Sequence, residues 1–193
     1  MSESAFLKQL EAEPDDDTTR LVYADWLDEH DDLRGEFLRT WVLLRTADEP
    51  QRSEYRQRIL ELRPIMATGW LARALPDVAS DEVREALFRV ASGGGKRDVF
   101  FLAVCGGDPS WYLFARLKPD YPHLRPWSEV RDEAEEYLRG FKCCFGPVFW
   151  DNHNRCRTEV DTTVAPMGSG TECRVELQNE EWAITDTRGT WIS

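Results

Sequence analysis

The chain has 193 residues, enough for one large domain or two small ones with a hydrophobic core. Its net charge of −12, from 24 basic and 36 acidic residues, disfavours general binding to nucleic acid or to anionic membranes. Hydrophobic residues make up 41% of the chain and eight residues are tryptophan, so the composition predicts a folded protein and excludes a disordered one.

The first residues and the cysteines bear on where the protein works. Residues 1–4 show no positively charged stretch followed by an apolar run, which a signal peptide would have. No segment approaches the roughly 20 apolar residues that a membrane-spanning helix needs. The five cysteines lack the regular spacing of a disulfide framework. We therefore expect a cytoplasmic protein with reduced thiols, and no motif predicts a cofactor.

The first half of the chain is predicted to be helical. Apolar residues recur at helical spacing, and proline, aspartate, serine and glycine stand at the expected ends. The predicted helices are one that stops at Pro14, one from about 18 to 30 preceded by three aspartates, one capped by Asp32, one from Pro50 to before Pro64, a short one through Trp70, and one capped by Ser80 that ends at Gly93.

The second half is predicted to be rich in strands. The apolar run Val99–Cys105 indicates a buried strand, a turn follows at 106–109, and Trp111–Leu117 is predicted as its partner strand. A helix is predicted at about 128–139. Four further strands are predicted at 142–150, 157–164, 173–178 and 182–187.

This order of elements predicts an α+β fold. An N-terminal helical lobe would precede an antiparallel β-sheet with at least one flanking helix. The predicted divisions are a helical segment at 1–48, further helices completing the lobe at 49–92, and a strand-rich region at 93–193.

One N-terminal segment has a recognisable pattern in three blocks. They read Pro14-Asp15-Asp16-Asp17, then Arg20-Leu21-Val22-Tyr23-Ala24-Asp25-Trp26-Leu27, then Asp31-Asp32-Leu33-Arg34-Gly35-Glu36-Phe37. This segment closely resembles the bacterial repeat-companion domain, and the resemblance covers about a fifth of the chain. Asp31 stands where the family usually has glycine, and Leu33 where it has proline. The resemblance implies a position beside repeat arrays that bind other proteins, and no catalytic activity.

The same residues predict a helical hairpin on physical grounds. Gly35 would let the two helix backbones approach closely near the turn. Asp25 lies amid apolar positions and is predicted to be partly buried, with Arg20 or Arg34 as its partner. Two interpretations remain open. Either five side chains form a recognition surface for a protein partner, or the acidic ones brace the turn between the helices; the five are Tyr23, Asp25, Trp26, Arg34 and Glu36.

Two chemical motifs fail on inspection. The run 93–96 (Gly-Gly-Gly-Lys) follows a helix instead of opening one, and it lacks the leading glycine and the final Ser or Thr of a phosphate-binding loop. Cys143, Cys144, His153 and Cys156 resemble a zinc ligand set only loosely. Adjacent cysteines in a strand point to opposite faces, so buried thiols are the preferred interpretation and no metal is predicted.

Three functional hypotheses follow. The leading one is a non-catalytic protein-interaction or adaptor protein whose partner is another protein. The second is an acidic inhibitor or immunity-type protein that blocks a basic surface, since residues 1–36 hold twelve acidic and three basic side chains (−9). The third is a cysteine-dependent enzyme in the C-terminal half, built on Cys143 or Cys144 with His123 or His153 as base.

Overall fold

The computed structural model describes residues 2–93, 99–129, 140–164 and 167–192. The chain forms two compact units, Met1–Pro76 and Asp77–Ser193. The predicted α+β class is confirmed. The helix predicted at about 128–139 lies outside the described residues from 130 onward, and only a single 3-10 turn, Trp127–Glu129, is seen before that point.

Five α-helices make up the first unit. The helices pack against one another through stripes of apolar residues. The buried members of these stripes include Leu10, Ala24, Leu27, Phe37, Leu38, Ile59 and Leu71. The helices are α1 (Glu3–Ala12), α2 (Asp17–Asp28), α3 (Arg34–Thr46), α4 (Gln51–Leu62) and α5 (Thr68–Ala74).

The helix ends follow local chemistry. Among the three aspartates before α2, Asp16 is the cap, and its side chain accepts hydrogen bonds from the backbone N–H groups of Thr18 and Thr19, each at 3.0 Å. Before α3, Asp32 accepts a hydrogen bond from the backbone N–H of Arg34 at 3.0 Å. Both caps lie in the segment with the recognisable pattern, so part of that pattern serves to begin helices.

The second unit opens with a helix that begins earlier than predicted. Helix α6 spans Pro76–Ala91, so the prediction that Ser80 caps it is wrong. Proline suits the first turn of a helix because its missing N–H would have no partner there. Ser80 is instead buried on the helix, where its hydroxyl accepts a hydrogen bond from Trp150 Nε1 at 3.1 Å.

A mixed seven-stranded sheet completes the second unit. Its strand order is β2-β1-β3-β5-β6-β7, with β4 paired to β5. The strands are β1 (Phe100–Val104), β2 (Leu124–Pro126), β3 (Phe141–Phe145), β4 (Phe149–Asn152), β5 (Arg155–Val164), β6 (Met167–Gln178) and β7 (Glu181–Ile192). Strand β1 pairs in parallel with β2 and β3, so the prediction of a wholly antiparallel sheet is wrong at these two pairings.

The prediction of a strand at Trp111–Leu117 is also wrong, because this segment is helix α7. Ser110 caps it by accepting a hydrogen bond from the backbone N–H of Leu113 at 3.1 Å. Tyr112, Leu113 and Leu117 are buried along one side. The helix lies between β1 and β2 in the chain, and a parallel pair of strands needs such a crossover connection.

The core of the second unit joins one face of α6 to the sheet. Val83, Leu87 and Phe88 of α6 belong to the same buried cluster as Phe100 of β1 and Phe141 of β3. Sequence reasoning groups residues 49–92 with the helical lobe, whereas this cluster makes α6 part of the second unit.

Candidate functional site

Side chains from four helices of the first unit converge on one carboxylate. Glu3 Oε1 accepts hydrogen bonds from the Tyr23 hydroxyl at 2.9 Å and from the Arg34 guanidinium at 2.6 Å. The indole N–H of Trp70 donates to the Tyr23 hydroxyl oxygen at 3.1 Å. We call Glu3, Tyr23, Arg34 and Trp70 the Glu3 cluster. It ties α1, α2, α3 and α5 together.

Tyr23 is fully buried, and Arg34 is mostly buried. Burial of the Tyr23 ring raises the pKa of its hydroxyl, which therefore stays protonated and donates to Glu3. Arg34 also binds Asp32 through two nitrogens, at 2.9 and 2.6 Å, and this pairing lowers the pKa of the Asp32 carboxyl. Tyr23 and Arg34, two of the five predicted recognition residues, are thus already bonded to other side chains of the first unit.

Asp25 lies where sequence reasoning did not place it. Its side chain is 72% exposed and pairs with Arg39 at 2.7 Å, so the predictions of partial burial and of pairing with Arg20 or Arg34 are wrong. Arg20 is itself buried and bonds to Asp17 and to the carbonyl oxygens of Pro14 and Ala74. Asp25 sits on the side of α2 that faces α3 near its solvent edge, where Arg39 reaches it.

Glu36 joins two neighbouring helices. Its carboxylate accepts two hydrogen bonds from Arg58 of α4, at 2.6 and 2.9 Å. The bidentate pair lowers the pKa of Glu36. Glu36 therefore contributes to the α3–α4 contact, whereas the bracing interpretation placed it at the turn between α2 and α3.

Trp26 is half-buried and presents part of its ring to solvent. It lies 6.1 Å from the Phe6 ring and 4.1 Å from the His30 imidazole, measured between ring centroids. The His30 Nδ1 donates to the Trp26 carbonyl oxygen at 2.6 Å. Of the five predicted residues, Asp25 is the one that the structure leaves exposed.

An open cleft lies beside this region. It has a volume of about 570 Å³ and is formed by the α2–α3 turn and the segment that follows α4. The cleft is lined by His30, Asp31, Asp32, Leu33, Arg34, Ile65, Met66 and Ala67. Arg34 is the one predicted recognition residue that lines it.

Two exposed apolar side chains line the cleft. Leu33 is 51% exposed and Ile65 is 58% exposed. Sequence reasoning missed both of them as site residues. A signal existed for Leu33, because it is a large apolar residue in a polar turn just before a helix. Ile65 follows Pro64 outside any helical stripe and offered no such signal.

The acidic side chains of α2 and of the α2–α3 turn are only partly neutralised. Asp17, Asp25 and Asp28 of α2 pair with arginines of α3. Asp31, by contrast, is exposed in the left-handed region (φ 54°), and its carboxylate makes no ion pair with any residue the structure describes. Among the described residues, the cleft therefore has one unpaired carboxylate, that of Asp31, beside its apolar lining.

Burial favours the neutral form of four thiols in the second unit, those of Cys143, Cys144, Cys156 and Cys173. Burial raises the pKa of Cys143 and Cys144, the two candidate nucleophiles. It also raises the pKa of Cys156, to about 12. Because the thiolate is the reactive species, these environments do not favour a cysteine nucleophile.

Comparisons with known proteins do not identify the chain. No family model matches the chain, and neither a curated protein nor a solved structure is similar to it. The resemblance of residues 6–41 to the repeat-companion domain therefore stays a prediction. In the described part of the chain, no group of three or more His, Cys, Asp or Glu residues could hold a metal ion. None of the described helices is both long and apolar enough to span a membrane.

Proposed function

We propose that the protein is a non-catalytic interaction or adaptor protein that binds another protein through the cleft of the first unit. The observation that carries the proposal is the pair of exposed apolar side chains, Leu33 and Ile65, that line this open cleft. Exposed apolar side chains around a concavity are typical of sites that take a partner's side chain.

The lining also indicates the chemistry of the partner. An apolar side chain would fill the space between Leu33 and Ile65, and a basic side chain next to it would meet Asp31. Arg34 does not oppose that basic group, because Glu3 and Asp32 already neutralise its guanidinium. The preferred partner is thus a segment that places lysine or arginine beside an apolar residue.

The role of the Glu3 cluster in this proposal is indirect. Its hydrogen bonds hold the start of α3, and with it Leu33, in a fixed position relative to α1 and α5. A site held rigid before binding loses less conformational entropy when the partner arrives.

Pull-down with matched variants tests the proposal. Wild-type protein, Leu33→Glu and Val22→Glu would be used as baits in a lysate of the organism that encodes the chain. Val22 is the control because it is 52% exposed, as Leu33 is, and lies on α2 outside the cleft. We expect one partner that wild type and Val22→Glu retain and that Leu33→Glu loses. Equal recovery with all three baits would refute the role of the cleft.

The unpaired Asp31 carboxylate also suits the second hypothesis, an acidic inhibitor that covers a basic surface. Measuring binding at different ionic strengths distinguishes the two hypotheses. An apolar anchor in the cleft keeps its affinity as salt rises, whereas an association steered by charge slows steeply. We expect the dissociation constant of the captured partner to change little between low and high salt, and Asp31→Asn to affect mainly the association rate. A complex that dissociates fully at high salt would favour the inhibitor.

A further inference from the structure

Strand β7 forms one edge of the sheet in the second unit. Among the described strands it pairs only with β6. All of its residues from Thr185 to Ile192 are exposed. Its outer side therefore presents backbone N–H and C=O groups that another strand can pair with.

The pairing of β7 with β6 is regular only in part. The register shifts near Ile184 and again near Trp191, and between these points four consecutive residues, 186–189, face β6 without interruption. Irregular register twists an edge away from further pairing, so the regular stretch is the part of β7 best suited to accept another strand.

Charged residues in this stretch alternate in sign across the two strands. Asp186 lies opposite Arg174, with 4.0 Å between the carboxylate oxygen and the guanidinium nitrogen. Two residues along, Arg188 lies opposite Glu172. Asp186 and Arg188 are both exposed, and they stand on either side of Thr187.

We propose that β7 pairs antiparallel with the β7 of a second copy of the chain, about a two-fold axis at Thr187. In that register Asp186 of each copy faces Arg188 of the other. Four side chains then lie in a row across both sheets: Arg174, Asp186, the second copy's Arg188 and the second copy's Glu172. Their charges alternate between positive and negative. Opposite charges directly across an antiparallel pair stabilise it.

The same register pairs the apolar ends of the strand. Ile192, which is 88% exposed, falls opposite Trp182 of the second copy, and Trp191, which is 42% exposed, falls opposite Ala183. A strand of another protein would need a basic and an acidic residue in the reverse order to match Asp186 and Arg188. The chain itself supplies that order when it is turned by the two-fold axis, and this favours a second copy as the occupant.

Charge reversal with mixing tests the register. By sedimentation equilibrium we expect wild type to associate with increasing concentration, and Arg188→Asp alone or Asp186→Arg alone to weaken association by about tenfold, since each places like charges opposite one another. An equimolar mixture of the two variants should regain the wild-type association, because the changed residues complement each other in the mixed dimer. A wild type that stays monomeric, or a mixture that associates no better than its components, would overturn the proposal.

A cysteine placed on the axis gives an independent test. Thr187→Cys, in a Cys105→Ser, Cys173→Ala background that removes the exposed native thiol and the thiol directly opposite position 187 on β6, should form a disulfide-linked dimer under mild oxidation. Thr190→Cys in the same background is the control, because its counterpart on the second copy would be Ile184. We expect the linked dimer at position 187 and not at 190. Equal linking at both positions, or none at 187, would rule out this register.

Discussion

Gly35 lies where α2 and α3 approach each other closely. A Cβ atom there would lie 2.7 Å from the backbone carbonyl oxygen of Ala24 and nearer still to the Asp28 carboxylate. The Asp28 side chain can move aside, but the Ala24 carbonyl belongs to the backbone of α2. The close approach predicted from the sequence is therefore present, and its geometry requires glycine.

The first prediction concerns this approach. We expect Gly35→Ala to lower the free energy of unfolding by about 1–3 kcal/mol, because α2 and α3 must separate to admit the methyl group. Urea denaturation followed by circular dichroism measures the change. Gly107→Ala is the control, since a Cβ there meets nothing closer than 3.8 Å. Equal stability of wild type and Gly35→Ala would contradict the described packing of the two helices.

Tyr23 shows that a residue of the recognisable pattern can serve the fold. Its hydroxyl donates to Glu3 and accepts from the indole N–H of Trp70. We expect Tyr23→Phe to cost about 1–2 kcal/mol of stability, because the buried Trp70 donor loses its acceptor. The half-buried Tyr55 provides the matched control in Tyr55→Phe. If thermal unfolding of the two variants shifts by the same amount, the Glu3 cluster has no special role.

Asp32 makes the stability of the first unit depend on pH. Its hydrogen bonds from Arg34 lower its pKa below the ordinary value of 3.8 in the folded protein. A carboxyl with a lowered folded pKa adds stability above its unfolded pKa, and this stability is lost as the pH falls through the folded pKa. We expect Asp32→Asn to cost about 1 kcal/mol at pH 7, since the pair is partly exposed.

The cost of Asp32→Asn should shrink as the pH falls below about 4, where the wild-type carboxyl itself becomes protonated. Denaturation curves for wild type and variant across this range measure the difference. Asp15→Asn serves as the control, because Asp15 is exposed and makes no ion pair with the described residues. A cost that stays constant at all pH values would show that the charge of Asp32 is not what stabilises the turn.

At the scale of elements, a helix was predicted correctly where its periodic pattern of apolar residues was long. The stripes of α2 and α3 extend over several turns, and both helices are confirmed. The segment Trp111–Leu117 has only seven residues, and an apolar run of that length fits a strand or one side of a short helix equally well. Its capping residue, Ser110, is the signal that distinguishes the two structures.

The parallel pairing of strands could not be predicted from the sequence for a related reason. The pairing of β1 with β2 and β3 depends on which strands meet after the crossover, and no local pattern encodes that. The cleft was missed in the same way. Leu33 and Ile65 are 32 positions apart in the sequence, and only the fold brings both to one concave surface.

The end of β7 depends on glycines in the neighbouring strand. The Trp191 ring covers Gly170 and Gly168 of β6, and its indole N–H donates to Asp161 at 3.0 Å. We expect Gly170→Ala to displace the ring and to raise amide hydrogen exchange at residues 189–192, with little change in overall stability because Trp191 is partly exposed. Gly107→Ala should leave this exchange unchanged. Unaltered exchange in Gly170→Ala would show that the ring does not fasten the strand.

At the scale of the whole molecule, each unit has an exposed feature of its own. The first unit uses its arginines to join helices, as in the pairs of Arg34 with Glu3 and Arg58 with Glu36, and it leaves an apolar cleft open. The second unit buries Cys143, which raises the pKa of that thiol, and exposes a strand edge. We expect the cleft and the strand edge to bind other chains.

Site-specific photo-crosslinking in living cells tests the central claim, that the cleft binds a protein. A photoreactive phenylalanine analogue would replace Ile65, or Val22 as the control of similar exposure. We expect a defined adduct from position 65 that is absent from position 22 and is lost when Leu33→Glu is added. No adduct at position 65, or the same adducts from both positions, would contradict the claim.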